Sequence, residues 1–319
     1  MMEQFILFAT PIFKTISILI LIVAYLVWLE RKVAAKMQSR IGPYLVGKPH
    51  GWLQPLADAL KLMLKDDSKP KNSDSLLFNF GPIWIMVVSL ASFALLPFYF
   101  NNQMINTDLS LMLFIAISSL VIVGIFVAGW SSNNKWALYG GMRSAAQIIS
   151  YEIPAGISLV TVIMLASSLS MQEIITYQSG GLFNWIIFDN PFMPIVFIIF
   201  FISTLAETNR TPFDLPESES ELVAGFVTEY SGTRYALFFL SEYANMFVVC
   251  AVSATAFFGG WQSPFPNFLN SPAWSVFWML SKTLALVFVM IWVRWTVPRL
   301  RVDQLMHMCW KAVSYTHLR

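Results

Sequence analysis

The chain has 319 residues, of which 57% are hydrophobic and only 12% are charged, with a formal net charge of +2. Soluble domains carry about 25% charged residues, so this composition excludes a soluble globular protein. The slight positive charge does not point to nucleic acid as a partner. The two cysteines, Cys250 and Cys309, are far apart in the sequence and predict neither a disulfide framework nor a metal site.

Seven apolar segments are long enough to cross about 30 Å of hydrocarbon. They lie at 10–29, 82–100, 109–130, 152–170, 191–206, 236–258 and 274–297. The sequence therefore predicts an all-α integral membrane protein with about seven transmembrane helices. We expect the fifth segment, which is the shortest, to continue as a helix into the residues that follow it.

The stretch WLQPLADALKLMLK at 52–65 has a helical period. Asp58, Lys61 and Lys65 fall on one face, and the other face is apolar, with Leu53, Leu56, Ala57, Leu60, Met63 and Leu64. This stretch is too short and too charged to cross a membrane, which predicts an amphipathic helix lying flat in the interface. Two roles remain open for it: a surface helix that packs against the spans, or a helix that lines a ligand site.

Basic residues alternate between the connecting segments. The segments 30–81, 131–151 and 207–235 and the tail after 297 contain Lys or Arg, whereas 101–108, 171–190 and 259–273 contain none. By the positive-inside rule, the basic segments face the cytoplasm or the mitochondrial matrix, and the N-terminus faces the outside.

One inner segment, 207–230, holds six of the 18 acidic residues of the chain. Pro212 and Pro216 should interrupt the helix on either side of Asp214. A helical pattern resumes at Glu217 and would place Glu217, Glu221 and Glu229 on one stripe. Crowded carboxylates raise one another's pKa, which is a property of proton-handling sites. The alternative is a solvated acidic loop.

Five ionisable residues lie in or at the ends of the predicted spans: Glu152, Glu207, Glu242, Lys282 and Arg294. A charge at membrane depth costs roughly 2.5–3.5 kcal/mol on insertion scales, so such residues normally face a partner or a water path. Arg294 has the alternative of extending to the inner surface. Glu242 has the alternative of pairing with a neighbouring subunit.

Five blocks of the sequence, in order from about residue 11 to residue 311, resemble one family. They are ERKVAAKMQSRIGP, GWLQPLADALKLMLK, AETNRTPFDLPESESELVAGF, TEYSGTRYALFFLSEYANM and WVRWTVPRLRVDQLMHMCWK. Together they resemble the quinone-site membrane subunit of respiratory complex I, which is known as subunit 1 in mitochondria and as the H subunit in bacteria.

The resemblance implies a subunit of a proton-translocating NADH:quinone oxidoreductase that binds quinone from the bilayer and couples its reduction to proton pumping. Flavin and iron–sulfur clusters would reside in partner subunits, with no cofactor or metal bound by this chain. The implied partners are other membrane and hydrophilic subunits of the complex, quinone and lipid. The implied location is the bacterial inner membrane, with the mitochondrial inner membrane as the alternative.

The resemblance also assigns site residues. The quinone-binding positions are Glu30, Arg31, Arg40, Asp58, Arg294 and Arg299. The proton-coupling positions are Glu152, Glu207, Arg210, Asp214, Glu217, Glu219, Glu221, Glu229, Tyr230 and Glu242. Lys135 and Arg143 match charged positions of an inner loop.

Other functions remain open at this stage. The nearest is the homologous membrane subunit of a membrane-bound hydrogenase or another non-NADH dehydrogenase. A stand-alone transporter and an assembly scaffold are the others. The family pattern continues into an eighth span after CWK, whereas this sequence ends in AVSYTHLR. We therefore expect a single membrane domain at 1–311 and a non-native tail at 312–319.

Overall fold

A computed structural model describes residues 2–99, 107–215, 222–265 and 271–313 of the chain. All regular secondary structure in these ranges is helical. Within the same ranges, five helices are long and apolar enough to cross a membrane, counting Ser110–Ser131 as one, and a sixth apolar helix is shorter. These features confirm the predicted all-α membrane fold.

The described ranges contain helices of very different lengths. In chain order they are α1 (Met2–Met37), α2 (Gln54–Leu64), α3 (Ser75–Ala94), α4 (Ser110–Ser119), α5 (Val121–Ser131), α6 (Lys135–Ala166), α7 (Met171–Tyr177), α8 (Ile186–Asp189), α9 (Met193–Glu207), α10 (Gly232–Phe257), α11 (Pro272–Thr296) and α12 (Val302–His307). Each of the seven predicted spans falls on one helix, the fifth on the shorter α9, except that α4 and α5 together form the third span.

Helix α10 is the centre of the bundle and packs against α1, α3 and α11. From Phe247 to Phe257 every side chain is buried. Many of these residues are Ala, Ser, Thr or Cys, which allow neighbouring membrane helices to approach closely. The N-terminal half of α10 is more exposed and carries Glu242, which is half-buried.

Helix α6 begins much earlier than predicted. Its first residue is Lys135, and the side chain of Asn134 caps it by accepting a 3.0 Å hydrogen bond from the backbone nitrogen of Trp136. The predicted loop 131–151 is therefore mostly helix. Pro154 lies inside α6 rather than at its start, a position that packed membrane helices tolerate. The extension gives α6 an inner half that faces the segment after α9.

The expected continuation of the fifth span is wrong, because α9 ends at Glu207. Asn209 has a φ of +51°, which is incompatible with a continuing right-handed helix. The predicted acidic stripe is also wrong for Glu229, because Val223 and Gly225 have φ values of +67° and +57°. Glu217, Glu219 and Glu221 lie outside the described residues, as do 314–319 of the predicted tail.

Two membrane helices differ in detail from the prediction. The third span is divided at Leu120 between α4 and α5. The hydroxyls of Ser118 and Ser119, just before this division, donate to the carbonyls of Ile115 and Ala116, a pattern that bends helices. The second span begins at Ser75 and ends at Ala94.

Helix α2 has the amphipathic character that the sequence predicts. Leu56, Leu60 and Met63 are exposed, and no residue of α2 is buried. Asp58 is on the opposite side and pairs with Arg31 of α1. An exposed apolar face together with a charged face turned to the protein is the arrangement expected of a helix lying at the membrane surface.

Candidate functional site: a buried ion network beside an apolar cleft

Arg210 is the centre of a buried network of charges. Its Nε lies 2.9 Å from a carboxylate oxygen of Glu242, and its Nη1 lies 3.4 Å from Oε2 of Glu30. Arg294 of α11 pairs with the other oxygen of Glu30. The guanidinium also stacks on the ring of Tyr243 at 4.2 Å. The network therefore joins α1, α10 and α11 to the segment after α9.

The charges of this network are strongly stabilised by one another. Arg210 and Glu30 are only 4% and 5% exposed. Burial lowers the pKa of the Arg210 guanidinium, but Glu242, Tyr243 and Glu30 more than offset this effect, and the net pKa lies above its ordinary value. Arg210 therefore remains a cation at any working pH. Removing one partner from such a group costs about 3–5 kcal/mol, because an uncompensated charge stays buried.

Two small internal cavities connect the carboxylates of α9 and α10. The first, of about 60 Å³, has Glu207, Glu242 and Asn245 in its lining. The second, of about 20 Å³, is lined by Glu207, Asn245 and Ser118 among others. One water needs roughly 10–15 Å³ of such volume and two to four polar partners, so both cavities can hold water.

The polar contacts continue from Glu207 toward α6. Ser118 is hydrogen-bonded to Glu207, and Glu207 interacts electrostatically with Glu152. Ser119 is hydrogen-bonded to Glu152. The division between α4 and α5 thus places two hydroxyls beside two carboxylates. Sequence reasoning missed both serines, although their position next to an interrupted membrane helix is a usable signal.

A larger cleft lies between α1, α2 and α10. Its volume is about 320 Å³, and its lining is mainly apolar, with Arg31, Asp58 and Lys61 as the charged members. Asp58 pairs with Arg31 and accepts a 3.1 Å hydrogen bond from the Gln54 amide. Ligand pockets are typically about 300–1,000 Å³, mostly apolar, with a few fixed polar groups.

The apolar cleft and the cavity of carboxylates share one wall. Tyr235 and Phe239 of α10 line both spaces. A molecule in the cleft would therefore be separated from Glu207 and Glu242 by a single layer of side chains. Sequence reasoning missed both aromatic residues, because they look like ordinary membrane-helix residues.

Five of the remaining predicted residues in the described ranges are exposed or half-buried. Arg40 is exposed, and its Nε donates to the Gln38 side chain at 2.7 Å. With Arg31 it lines an open cleft of about 770 Å³ formed by residues 40–46 and Gln54. Arg299 and Lys135 are exposed, and Arg143 and Asp214 are half-buried.

Glu229 and Tyr230 form a separate group near the inner ends of α3, α5 and α6. Glu229 accepts a 2.7 Å hydrogen bond from the Asn134 amide. Tyr230 stacks on Phe78 at 4.1 Å, and its hydroxyl lies 3.3 Å from that of Ser131. Burial raises the pKa of Tyr230 to about 12, so its phenol stays protonated at physiological pH. Tyr230 therefore packs the C-terminal end of the acidic segment against α3 and α5.

No group of three His, Cys, Asp or Glu side chains within the described ranges is close enough to hold a metal ion. The fold and the site together define a class: a helical membrane protein with a buried arginine–carboxylate network beside an apolar cleft. Subunits of membrane-bound redox enzymes fall within this class. Comparison with known proteins identifies the family.

A model of the NADH dehydrogenase family matches residues 11–318. The chain is 52% identical to the H subunit of NADH-quinone oxidoreductase from Chlorobaculum parvum over 302 residues, covering 91% of this chain and 83% of the relative. It is 50% identical to the H subunit from Anaeromyxobacter dehalogenans over 304 residues, covering 89% and 73%. It is 45% identical to an H subunit from Geobacter sulfurreducens over 313 residues, covering 92% and 86%.

The chain belongs to the NADH dehydrogenase family. The family resemblance inferred from the sequence is confirmed, and so is its assignment to the subunits of NADH-quinone oxidoreductase. The roles of the individual site residues stay predictions.

Proposed function

We propose that this chain is the membrane subunit in which quinone enters from the bilayer and in which quinone reduction is coupled to proton movement. The observation that carries the proposal is the wall formed by Tyr235 and Phe239, with an apolar cleft on one side and the half-buried carboxylates of Glu207 and Glu242 on the other. Flavin and iron–sulfur clusters belong to partner subunits in this proposal, and the complex lies in a bacterial inner membrane.

The cleft has the properties that a quinone requires. Its apolar lining suits the tail, and Arg31, Asp58 and Lys61 supply polar groups for the headgroup. Helix α2, with its exposed apolar face, would lie in the membrane surface beside the cleft. A quinone could then pass from the lipid into the cleft without crossing water.

The carboxylates have the properties that coupling requires. Reduction of quinone to quinol takes up two electrons, supplied by a partner subunit, and two protons. At an effective dielectric of about 20, a unit charge 4 Å away is worth about 4 kcal/mol. Across the single layer of side chains, at about 8 Å, the same interaction is still worth about 2 kcal/mol. In this proposal a transient negative charge in the cleft therefore acts on the Arg210–Glu242 pair. The cavities and Ser118 then provide a path from Glu242 through Glu207 to Glu152.

The proposal is tested at Asp58, where stability and quinone binding can be separated. The side chains of Arg31 and Asp58 are 42% and 27% exposed, and such pairs contribute only about 0–1 kcal/mol to stability. Asp58→Asn should therefore leave assembly intact and raise the KM for quinone several-fold in isolated membranes. NADH oxidation by a water-soluble acceptor should be unchanged.

The chain offers a matched control in Asp67, which pairs with Arg234 at 3.1 Å. Asp67 does not line the cleft. Asp67→Asn should leave the KM for quinone unchanged. Equal KM values for Asp58→Asn and the wild-type complex, or equal increases in both variants, would contradict the proposed quinone site.

A further inference from the structure

Gln147 of α6 makes an unusual set of contacts with the segment that carries Arg210. Its side-chain nitrogen lies 2.8 Å from the carbonyl oxygen of Ala206 and 2.7 Å from that of Phe213. The same nitrogen lies 3.2 Å from Oδ1 of Asn209. One amide therefore bridges two backbone carbonyls that stand on either side of Arg210 in the sequence.

The bridged segment is an irregular turn, which is also held by a 3.2 Å hydrogen bond from the backbone nitrogen of Leu300 to the carbonyl of Pro212. Helix α9 ends at Glu207, and Asn209 has a φ of +51°. Within the turn, the backbone nitrogen of Phe213 donates to the carbonyl of Arg210 at 2.8 Å. Gln147 is 1% exposed, so water does not substitute readily for its two amide donors.

Neighbouring residues of α6 support the same turn. The hydroxyl of Ser144 accepts a 3.2 Å hydrogen bond from the Asn209 amide. The ring of Tyr151 lies 5.5 Å from that of Phe213. Ser144, Gln147 and Tyr151 share one face of α6, because residues three, four and seven apart are neighbours on a helix. All three residues lie toward the inner, N-terminal part of α6.

We propose that Gln147 is a positioning residue for Arg210. Its amide closes the turn 206–213 and thereby holds the guanidinium between Glu30 and Glu242. Glu152, at one end of the proposed proton path, is also on α6. Arg210 pairs with Glu242 at the other end. Gln147 therefore connects the two ends of the path. The activity part of this inference rests on the proposed function, whereas the positioning contact does not.

The test is a double-mutant cycle between Gln147→Met and Arg210→Lys in the assembled complex. Methionine preserves the approximate length of the side chain and removes both donors. Quinone reductase turnover is measured relative to NADH oxidation by a water-soluble acceptor. Gln147→Met should lower turnover about tenfold, with little change in the KM for quinone, as expected when a positioning contact is lost. In the Arg210→Lys background it should lower turnover no further.

The matched control is Gln178→Met. Gln178 is also fully buried, and its amide also bridges backbone carbonyls, at 3.0 Å to Thr255 and 3.4 Å to Ala256. These contacts are at the far end of α10 from Arg210, so Gln178→Met should change turnover less than about twofold. Gln147→Asn, which keeps the amide on a shorter side chain, is measured in parallel, so that the test does not depend on assembly of one variant.

The inference is overturned if Gln147→Met and Gln178→Met have equal effects, or if the effects of Gln147→Met and Arg210→Lys multiply. If Arg210→Lys itself leaves turnover unchanged, a role for Arg210 in coupling is contradicted, whereas the quinone site is judged separately by Asp58→Asn. In that case hydrogen–deuterium exchange at 206–213 decides the positioning: faster exchange in Gln147→Met than in Gln178→Met supports it, and equal exchange overturns it.

Discussion

At the scale of single residues, the proposed mechanism depends on which charges neutralise Arg210. Asp214 lies four positions from Arg210 in the sequence, but the ion pairs described above come from Glu30 and Glu242, about 180 and 30 positions away in the chain. Such contacts cannot be read from local spacing. The family resemblance named Arg210, Glu30 and Glu242 as site residues. It assigned Glu30, together with Arg294, to the quinone-binding group and not to a network with Arg210.

Glu30 should be more important for stability than its position at the end of a membrane helix suggests. It faces both Arg210 and Arg294, so Glu30→Gln leaves two guanidinium groups without that counter-charge. We expect a loss of about 3–5 kcal/mol, seen as a lower unfolding temperature and less assembled complex. Arg294→Met should cost less, because the Arg294 side chain is 27% exposed. A Glu30→Gln complex as heat-stable as the wild type would contradict this assignment.

At the scale of helices, the sequence predicted which segments are helical but not how α6 positions the site. Apolar periodicity and length identify a membrane helix well, because both follow directly from the thickness of the bilayer. The polar inner half of α6 has no such signal, and Pro154 resembled a helix start. The consequence is that Gln147 and Ser144 were not recognised as helical residues facing the Arg210 turn.

Close contact between α6 and the acidic segment can be tested with two glycines of the same helix. A Cβ on Gly140 would lie 2.6 Å from the Cα of Gly225, whereas a Cβ on Gly156 would have no neighbour within 4 Å. Gly140→Ala should destabilise the protein by about 1–3 kcal/mol through this overlap. Gly156→Ala should be neutral or stabilising by up to about 1 kcal/mol, because alanine favours helix.

The measurement is thermal unfolding of the purified complex, combined with hydrogen–deuterium exchange at 225–230. Faster exchange is expected only in Gly140→Ala. If the two alanine variants behave alike, the close approach of α6 to residue 225 does not exist in the assembled protein.

At the scale of the whole molecule, the two ends of the bundle differ in their chemistry. The end predicted to face inward carries the Arg210 network and the cleft. At the other end, the Lys282 ammonium is bound by the carbonyls of Phe258, Gly260 and Gln262 at 2.7, 2.9 and 2.6 Å. A cation at the C-terminal end of α10 is also favoured by the helix dipole. This lysine therefore has a structural explanation, and our proposal assigns coupling to the inner carboxylates alone.

The central claim is that Glu207 takes part in coupling quinone reduction to proton movement. The most direct test is to measure proton translocation and quinone reduction together in vesicles containing the Glu207→Gln complex. Glu173→Gln is the control, because Glu173 is exposed and bonded to Ser168 at the other end of the bundle. We predict that Glu207→Gln loses most proton translocation per electron, whereas Glu173→Gln keeps it. Normal translocation and normal turnover in Glu207→Gln would contradict the claim.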